Sequence, residues 1–145
     1  MLVWENAPEI GRWMESRGAG HLAPGTFTAI GWTERGELTG ALAFRDSNGI
    51  HCLVSIALEG RRFPRPLLYA ALYYVFIQLD LKRVTFVIES ENLPSQNLVT
   101  RLGAKREATL RGAGKSGDLF IYALFPGDCY IWSRLSERFK RAAGP

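Results

Sequence analysis

The sequence predicts an α/β (α+β) fold, in which a mixed, mostly antiparallel sheet of six to seven strands carries helices on both faces. Two observations support this prediction. Residues 82–125 have the pattern of a strand, a capped helix and two further strands. Before them, three strand-like segments lead into a long apolar helix, which returns to the strand at 82–89 and must therefore cross over between two roughly parallel strands.

The segment from 82 to 103 has the clearest local pattern. Apolar and more polar side chains alternate over Lys82–Glu89, which is the period of a strand. Pro94 fits the first turn of the helix that follows, because the first helical amides have no intrahelical partner. Asn92 is the predicted N-cap of this helix, and Gly103 is the residue expected to close it.

The remaining elements follow from apolar periodicity and turn residues. Gly18–Gly25 has no clear period and is predicted to be a loop, and Asn48-Gly49 is a strong hairpin signal. The long helix is apolar nearly all round, which implies burial against the sheet. The predicted elements are an edge strand at Met1–Trp4, a helix at Ala7–Arg17, strands at Thr26–Thr33, Glu37–Arg45 and Ile50–Leu58, a helix from Arg65 or Pro66 to Leu81, and a terminal helix at Tyr130–Arg141.

Length and composition predict one cytoplasmic domain, residues 1–145, that buries roughly two thirds of its unfolded surface. The longest apolar run, Leu67–Ile77, is shorter than the roughly 20 residues that span a bilayer, and the N-terminus is acidic where a secretory signal would be basic. No membrane partner is expected. Cys52 and Cys129 are predicted to be buried, inert thiols, because no ligand set indicates a metal site and no spacing indicates disulfides.

The net charge of +4 is unevenly distributed along the chain. Residues 1–60 hold four arginines and seven acidic residues, giving −3, whereas residues 61–145 hold fourteen Lys or Arg and seven acidic residues, giving +7. A basic half suits a phosphate-bearing ligand, and it also suits nucleic acid. Nucleic acid is the less favoured partner, because the sequence contains no aromatic-rich platform for single strands and no recognised binding motif.

The order of residues between 82 and 132 is the most informative feature of the chain. A strand is followed by Asn92-x-x-Ser95, Leu-Gly-Ala-Lys-Arg-Glu-Ala-Thr-Leu-Arg at 102–111, a short polar loop, and Gly-Asp-Leu-Phe-Ile-Tyr-Ala-Leu at 117–124. This order resembles the C-terminal half of a GNAT-fold N-acetyltransferase, especially the ribosomal-protein-modifying branch. The ending Gly-Asp-Cys-Tyr-Ile-Trp at 127–132 is more similar to small members carried by bacteriophages and prophages.

The resemblance implies acetyl-CoA as cofactor and a loop, between the fourth strand and the next helix, that cradles its diphosphate. The matching segment is 59–66, where Pro64 and Pro66 stand in place of the family's glycines. Proline offers no N–H, so arginines are expected to bind the phosphates through charge-assisted bonds. An ordinary solvated basic turn is the alternative. The predicted binding residues of this loop are Arg61, Arg62, Phe63 and Arg65.

The resemblance also implies two walls for the pantetheine arm of the cofactor. One wall is the end of the fourth strand, which in the family splays from its neighbour and offers free backbone groups. The other wall is the start of the following helix, where Asn92 and Ser95 match the family's Asn and small residue. The strand residues assigned to the first wall are Ser55, Ile56, Ala57 and Leu58.

The catalytic acid and base are not at the family's usual positions. Val99 stands where many members have a tyrosine, and Val87 stands where some have a glutamate. Neither side chain can transfer a proton. Some ribosomal-type members use a serine hydroxyl, so Ser95 is the first candidate. The other candidates are Ser55, His51, Glu59, Tyr122 or a water molecule.

The sequence thus predicts an N-acetyltransferase that transfers an acetyl group from acetyl-CoA to an amine on a protein or another macromolecule. A GNAT-fold binding or virion-associated module without catalysis is the alternative, favoured by the prolines at 64 and 66 and the valines at 87 and 99. If the chain is phage-encoded, its expected location is the bacterial host cytoplasm. The sequence leaves the oligomeric state open, a homodimer included.

Overall fold

The computed structural model describes residues 1–60 and 62–142, and of residues 139, 140 and 142 it describes the backbone only. The chain forms seven strands and four α-helices in an alternating order. These are β1 (Leu2–Val3), α1 (Ala7–Ser16), β2 (Phe27–Glu34), β3 (Glu37–Arg45), β4 (His51–Leu58), α2 (Arg65–Tyr73), β5 (Arg83–Glu89), α3 (Leu93–Leu102), β6 (Lys105–Leu110), β7 (Leu119–Leu124) and α4 (Tyr130–Ala142).

The seven strands form one sheet in the order β1-β2-β3-β4-β5-β7-β6. Its neighbouring strands are antiparallel except for β4 and β5, which are parallel and joined by the crossover through α2. This confirms the predicted mixed, mostly antiparallel sheet and the predicted crossover. The strand at residues 2–3 is the predicted N-terminal edge strand.

Helices cover both faces of the sheet, as predicted. On the first face, the main core joins the sheet to residues of α2, α3 and α4, such as Leu67, Val99 and Trp132. On the second face, a smaller core joins Ile10 and Met14 of α1 to small residues of β2, β3 and β4. The second core is built on alanines because the helix lies close to the strands there.

The long helix differs from its prediction in length and in exposure. α2 ends at Tyr73, and the chain continues as one turn of π-helix over Tyr74–Gln78, in which the N–H of Leu79 donates to the carbonyl of Tyr74 at 2.9 Å. The helix therefore does not reach Leu81. Its outer side is also exposed rather than buried, because only one side faces the sheet. The exposed side chains are Tyr69, Tyr73 and Ile77.

The turns explain the remaining shifts at strand ends. Arg35 and Gly36 both have positive φ, which is the geometry of a two-residue hairpin, so Glu34 belongs to β2 and not to the turn. In the next loop, Asn48 Oδ1 accepts hydrogen bonds from the N–H groups of Ile50 and His51, both at 2.9 Å. This side-chain bond holds residue 50 in the loop, so β4 begins one residue later than predicted.

The ends of α3 agree with the sequence. Asn92 Oδ1 accepts a hydrogen bond from the N–H of Ser95 at 3.2 Å, which confirms the predicted N-cap. Gly103 has a φ of 107° and closes the helix. A side chain at this position would collide with the carbonyl oxygen of Asp128, so glycine is required by both backbone geometry and space. None of the described helices is long and apolar enough to cross a membrane.

Candidate functional site

The central feature of the site is a gap between two parallel strands. β4 and β5 are paired from His51 and Arg83 to Val54 and Phe86. Beyond that point no further pairing of β4 with β5 occurs in the described residues, although β4 continues to Leu58 and β5 to Glu89. Over the same stretch β4 stays paired with β3 as far as Leu58 and β5 stays paired with β7 as far as Glu89, so the two halves of the sheet separate at this point.

The backbone of β4 presents specific groups to this gap. The N–H of Glu59 donates to the carbonyl of Thr39 on β3 at 2.8 Å. Because backbone groups alternate between the two edges of a strand, those of Ile56 and Leu58 point away from β3 and toward the gap. The backbone groups of Ser55 and Ala57 point toward β3. The predicted wall at 55–58 therefore offers the N–H and C=O groups of two residues to an extended ligand.

A groove of ≈ 1160 Å³ opens beside the gap on the face that carries α2, α3 and α4. We call it the arginine groove. It begins at Leu58, continues past Phe63 and ends between α3 and α4. Among the described residues, no Asp or Glu lines it, and none of its arginines forms an ion pair. Its arginines are Arg62, Arg65, Arg101, Arg134 and Arg138.

The start of α2 forms one wall of this groove. Pro64 is the N-cap and Pro66 lies in the first turn, so the helix lacks one of the early N–H groups that commonly bind phosphate. The arginines supply positive charge at the place where amides are missing. Of the predicted loop residues, Arg62, Phe63 and Arg65 line the groove, whereas Arg61 lies outside the described residues.

A second cavity of ≈ 350 Å³ lies at the gap itself, and we call it the splay cavity. Three segments of the chain close it: the loop at 18–21 after α1, the separated strands β4 and β5, and the loop between β6 and β7. Ser55 and Ile56 line it from β4, and Asn92 lines it from the start of α3. Its titratable residues are His21, Arg45, Glu89 and Lys115.

Glu89 is the acidic residue of the splay cavity. It is the last residue of β5 and shares the sheet face of Val87. The loop between β6 and β7 folds over its carboxylate: the N–H of Lys115 donates to Oε1 at 3.1 Å. A side chain at Gly114 would overlap Oε2, so glycine permits this approach. The loop thus fixes the carboxylate in place at the gap.

The same loop is attached to the turn between β5 and α3. The N–H of Ser90 donates to the carbonyl of Asp118 at 2.9 Å, and the N–H of Asp118 donates to Ser90 Oγ at 3.2 Å. Ser116 Oγ donates to the carboxylate of Glu91 at 2.9 Å. These bonds tie the loop and the turn into one unit around the cavity.

Arg45 is the basic residue that β3 contributes to the splay cavity. It pairs in register with Leu53, so it lies on the sheet face that also carries Ser55. Its Nε atom is buried without a hydrogen-bond partner, and no described residue forms a hydrogen bond or an ion pair with its guanidinium group. A half-buried cation without a partner is unusual, because desolvation of its charge is then uncompensated.

The predicted catalytic candidates lie in different places. Ser55 lines the splay cavity and is 3% exposed. Ser95 is 2% exposed, lies in the first turn of α3 three residues after Asn92, and lines neither cavity. His51 is engaged at the paired part of β4, where its Nδ1 lies 3.2 Å from Thr85 Oγ1. The structure thus brings Ser55 to the cavity and leaves His51 outside it.

The other candidates are further from the gap or face away from it. Glu59 forms an ion pair with Arg17 at 2.7 Å on the α1 side of the molecule. Tyr122 is 6% exposed and belongs to the main core. Val99 is also fully buried in that core, so a tyrosine ring would not fit there without repacking. Val87, in contrast, lines the splay cavity.

Several residues of the site were not predicted from the sequence. Glu89 was predicted only to end a strand, although its position two residues after Val87 places both side chains on one sheet face. Arg45 was counted only as the end of a strand. The spacing of Arg134 and Arg138 by four residues was the available signal that α4 presents both to one side. Arg101 gave no comparable signal.

The two cysteines take no part in either cavity. Both are buried, as predicted. Burial raises the pKa of the Cys52 thiol to about 11 and also raises the pKa of Cys129, because a thiolate would lose its hydration in the core. At neutral pH both are therefore protonated and poorly nucleophilic.

Comparison with known proteins identifies the fold. No protein-family model matches the sequence, and no curated protein matches it. Solved structures do match. Spermidine/spermine N-acetyltransferase SpeG from Vibrio cholerae superposes with a TM-score of 0.66 at 15% identity, covering 95% of both chains. An acetyltransferase of the GNAT family from Bacillus anthracis gives 0.53 at 19% identity, covering 70% of this chain and 67% of that one.

A third match is a Vibrio cholerae protein provisionally named a ribosomal-protein-serine acetyltransferase. It gives a TM-score of 0.59 at 23% identity and covers 81% of this chain and 71% of that one. At identities below 25%, these matches concern the fold, which here is a seven-stranded open sheet with four helices. The chain therefore has the GNAT fold, as the sequence predicted.

Proposed function

We propose that this protein is an acyltransferase that transfers an acetyl group from acetyl-CoA to an amine. The observation that carries the proposal is the gap between β4 and β5, because one stretch of β4 contributes both to the arginine groove and to the splay cavity. An extended ligand lying along this stretch would have a charged end in the groove and a reactive end in the cavity. That residues 1–145 form one such domain is part of the proposal.

The residues of the arginine groove fit the phosphates of acetyl-CoA. Diphosphate and 3′-phosphate groups are polyanions, and the described lining of the groove has five arginines and no acidic residue. The backbone groups of Ile56 and Leu58 would pair with the amide-bearing pantetheine arm, as an added strand pairs with a sheet edge. Asn92, which lines the splay cavity, would form part of the opposite wall, and Ser95 would support it from one turn further into α3. Acetyl-CoA supplies an activated thioester, and the chain positions it.

The splay cavity would hold the acceptor amine, and a side chain of its lining would remove the proton of that amine. An amine is an ammonium ion near neutral pH and cannot attack until it is deprotonated. Glu89 is the proposed base, acting directly or through one water, because its carboxylate lines the cavity and is fixed by the N–H of Lys115. The hydroxyl of Ser95 remains the proposed acid for the leaving thiolate, as the sequence resemblance implies.

The proposed acceptor is an amine on a protein or another macromolecule. Only residues 17–26, which form no helix, separate α1 from β2, so no additional helix closes the splay cavity on that side. The matching structures include three named for small polyamines and one named for a ribosomal protein, which is consistent with either size of acceptor. The cytoplasmic location and the link to bacteriophages remain predictions of the sequence.

A binding module without catalysis is the second candidate function. It is favoured by Pro66, which removes an early N–H of α2, and by the absence of proton-transferring side chains at positions 87 and 99. Such a module would retain the groove and bind CoA without turning it over. The two functions therefore share one ligand and differ in chemistry.

Calorimetric titration with CoA and acetyl-CoA tests the shared part of the proposal, and mass spectrometry of a panel of amines incubated with acetyl-CoA tests the chemistry. We expect micromolar binding of both cofactors and acetylation of at least one amine. Binding without any acetylation would favour the binding module. Absence of binding at millimolar cofactor would reject both functions.

A further inference from the structure

We infer that Arg45 forms a carboxylate-binding subsite in the splay cavity, so that the preferred acceptor is an amine with a carboxylate a few bonds away. This inference rests on the proposed function for the identity of the acceptor. The subsite itself rests on the geometry and charge of one cavity. The two sources of such an acceptor are a free amino acid and a polypeptide N-terminus with an acidic first residue.

The position of Arg45 relative to the gap is the first argument. Arg45 lies one strand away from β4 and at the level of Leu53, two residues before Ser55. From strand spacing and rise, its Cα is about 8 Å from that of Ser55. Its side chain lines the same cavity as Ser55 and Val87. A group bound to the guanidinium would therefore lie beside the point where β4 and β5 separate.

The missing partner of Arg45 is the second argument. The Nε atom is buried without a hydrogen-bond partner in the described residues, and the following residue, Asp46, is exposed and does not pair with it. Nearby polar groups of the same face are engaged with one another: Arg83 Nε donates to Thr85 Oγ1 at 3.0 Å, and His51 Nδ1 lies 3.2 Å from the same oxygen. The guanidinium is the group left without an anion.

The charges around the cavity indicate how an acceptor would be oriented. Glu89 stands at the end of β5, and Arg45 stands on the other side of the gap at the end of β3. A zwitterionic ligand would place its ammonium toward the carboxylate and its own carboxylate toward the guanidinium. Arg binds carboxylates with two parallel N–H···O bonds, which fixes direction as well as position. Amines without the carboxylate would leave the guanidinium unpaired and bind less well.

The test uses matched acceptor pairs that differ by one negative charge, with kcat/KM referred in each case to the concentration of the neutral amine. Glycine and glycinamide represent a free amino acid, and Asp-Ala-Ala-amide and Asn-Ala-Ala-amide represent a polypeptide N-terminus. For at least one pair, we expect the wild-type protein to favour the carboxylate member in kcat/KM by roughly tenfold to a hundredfold, the range of a charge-assisted hydrogen bond. The pair that shows the preference identifies the source of the acceptor.

The variant Arg45→Met should abolish this preference by lowering activity toward the carboxylate member. Arg45→Lys should retain part of it, because the positive charge is kept. Arg12→Met is the matched control, since Arg12 is exposed on α1 and lines neither cavity. Arg45→Met should fold at least as stably as the wild type, because the variant removes a half-buried charge that has no partner. Thermal unfolding checks that it is folded.

A binding measurement keeps the inference separate from the proposed function. The acetylated products of both pairs can be titrated into the protein with CoA present, and the Arg45 Nε–H resonance can be followed by NMR. Tighter binding of the carboxylate product in either pair, lost in Arg45→Met, would support the subsite even if no amine is acetylated. Equal binding within both pairs by the wild type, or a preference that survives in folded Arg45→Met, would overturn it.

Discussion

The arginine groove and the splay cavity adjoin the same stretch of β4, but they differ in the sign and the arrangement of their charged side chains. The groove is lined by arginines from a loop and three helices, and no acidic residue opposes them in its described lining. The cavity holds charges of both signs on strand ends and a tied loop, and one of them, Arg45, is half-buried and has no partner among the described residues. The groove is suited to a polyanion of variable conformation, whereas the cavity is suited to one orientation of a smaller group.

This difference indicates that affinity arises in the groove and specificity in the cavity. Long exposed arginines adapt to a ligand and share its charge, so the loss of any one of them is partly compensated by the others. In the cavity each charged group has one position, set by sheet register or by a backbone hydrogen bond. We therefore expect variants of the groove to change cofactor affinity and variants of the cavity to change rate or acceptor choice.

The largest expected effect comes from removing charge from the groove. Replacing Arg62, Arg65 and Arg101 together with alanine should weaken CoA binding by roughly 2–4 kcal/mol, because each charge-assisted phosphate contact contributes about 1.5–3 kcal/mol and partial exposure reduces the sum. Calorimetry measures the change. The unfolding midpoint should alter little, since exposed arginines contribute little to stability.

A charge-matched control separates a local effect from the loss of overall positive charge. The triple variant Arg12→Ala, Lys82→Ala, Lys105→Ala removes three exposed positive charges outside both cavities. Its CoA affinity should stay near that of the wild type. Equal weakening in the two triple variants would mean that the groove is only part of a diffuse basic surface, and the contrast between groove and cavity would fail.

An intermediate effect is expected from Glu89, and it should appear in rate and not in cofactor affinity. Glu89→Gln should lower kcat by about 10²-fold or more, the usual contribution of a positioned base. The remaining activity should rise with pH up to the pKa of the acceptor amine, since solvent must then remove the proton. The matched control is Glu91→Gln, which loosens the same loop at Ser116 without lining the splay cavity. A Glu89→Gln rate within twofold of wild type would exclude Glu89 as the base.

The smallest expected effect concerns Ser95. Ser95→Ala should lower kcat by about tenfold and leave KM nearly unchanged if the hydroxyl acts only on the leaving thiolate. The N-cap bond should survive, because Asn92 Oδ1 accepts from the backbone N–H of residue 95 and not from its side chain. Steady-state kinetics and CoA affinity, measured on the same preparation, provide the test. Wild-type kcat in this variant would assign the proton to water.

Much of the fold was predictable because its signals are local. Alternation of apolar residues marked β5, Asn92 and Gly103 marked the ends of α3, and Asn48-Gly49 marked the loop before β4. These features depend on backbone geometry and on neighbours within a few residues, so they can be recognised directly in the sequence. The π-helical turn at Tyr74–Gln78 was not predictable, because it depends on how the helix end packs against Thr28 and Phe44 of the sheet.

From the sequence one could predict the order of strands and helices, the basic character of the C-terminal half and the arginines of the 61–65 loop. Three features became visible only in the folded chain: β4 and β5 separate after Phe86, α3 and α4 add arginines at 101, 134 and 138 to the groove, and Arg45 and Glu89 line one cavity. These features could not be predicted because the residues involved lie far apart along the chain. Residues 45 and 89 belong to strands that meet only after the crossover through α2 is formed, so no local pattern in the sequence relates them.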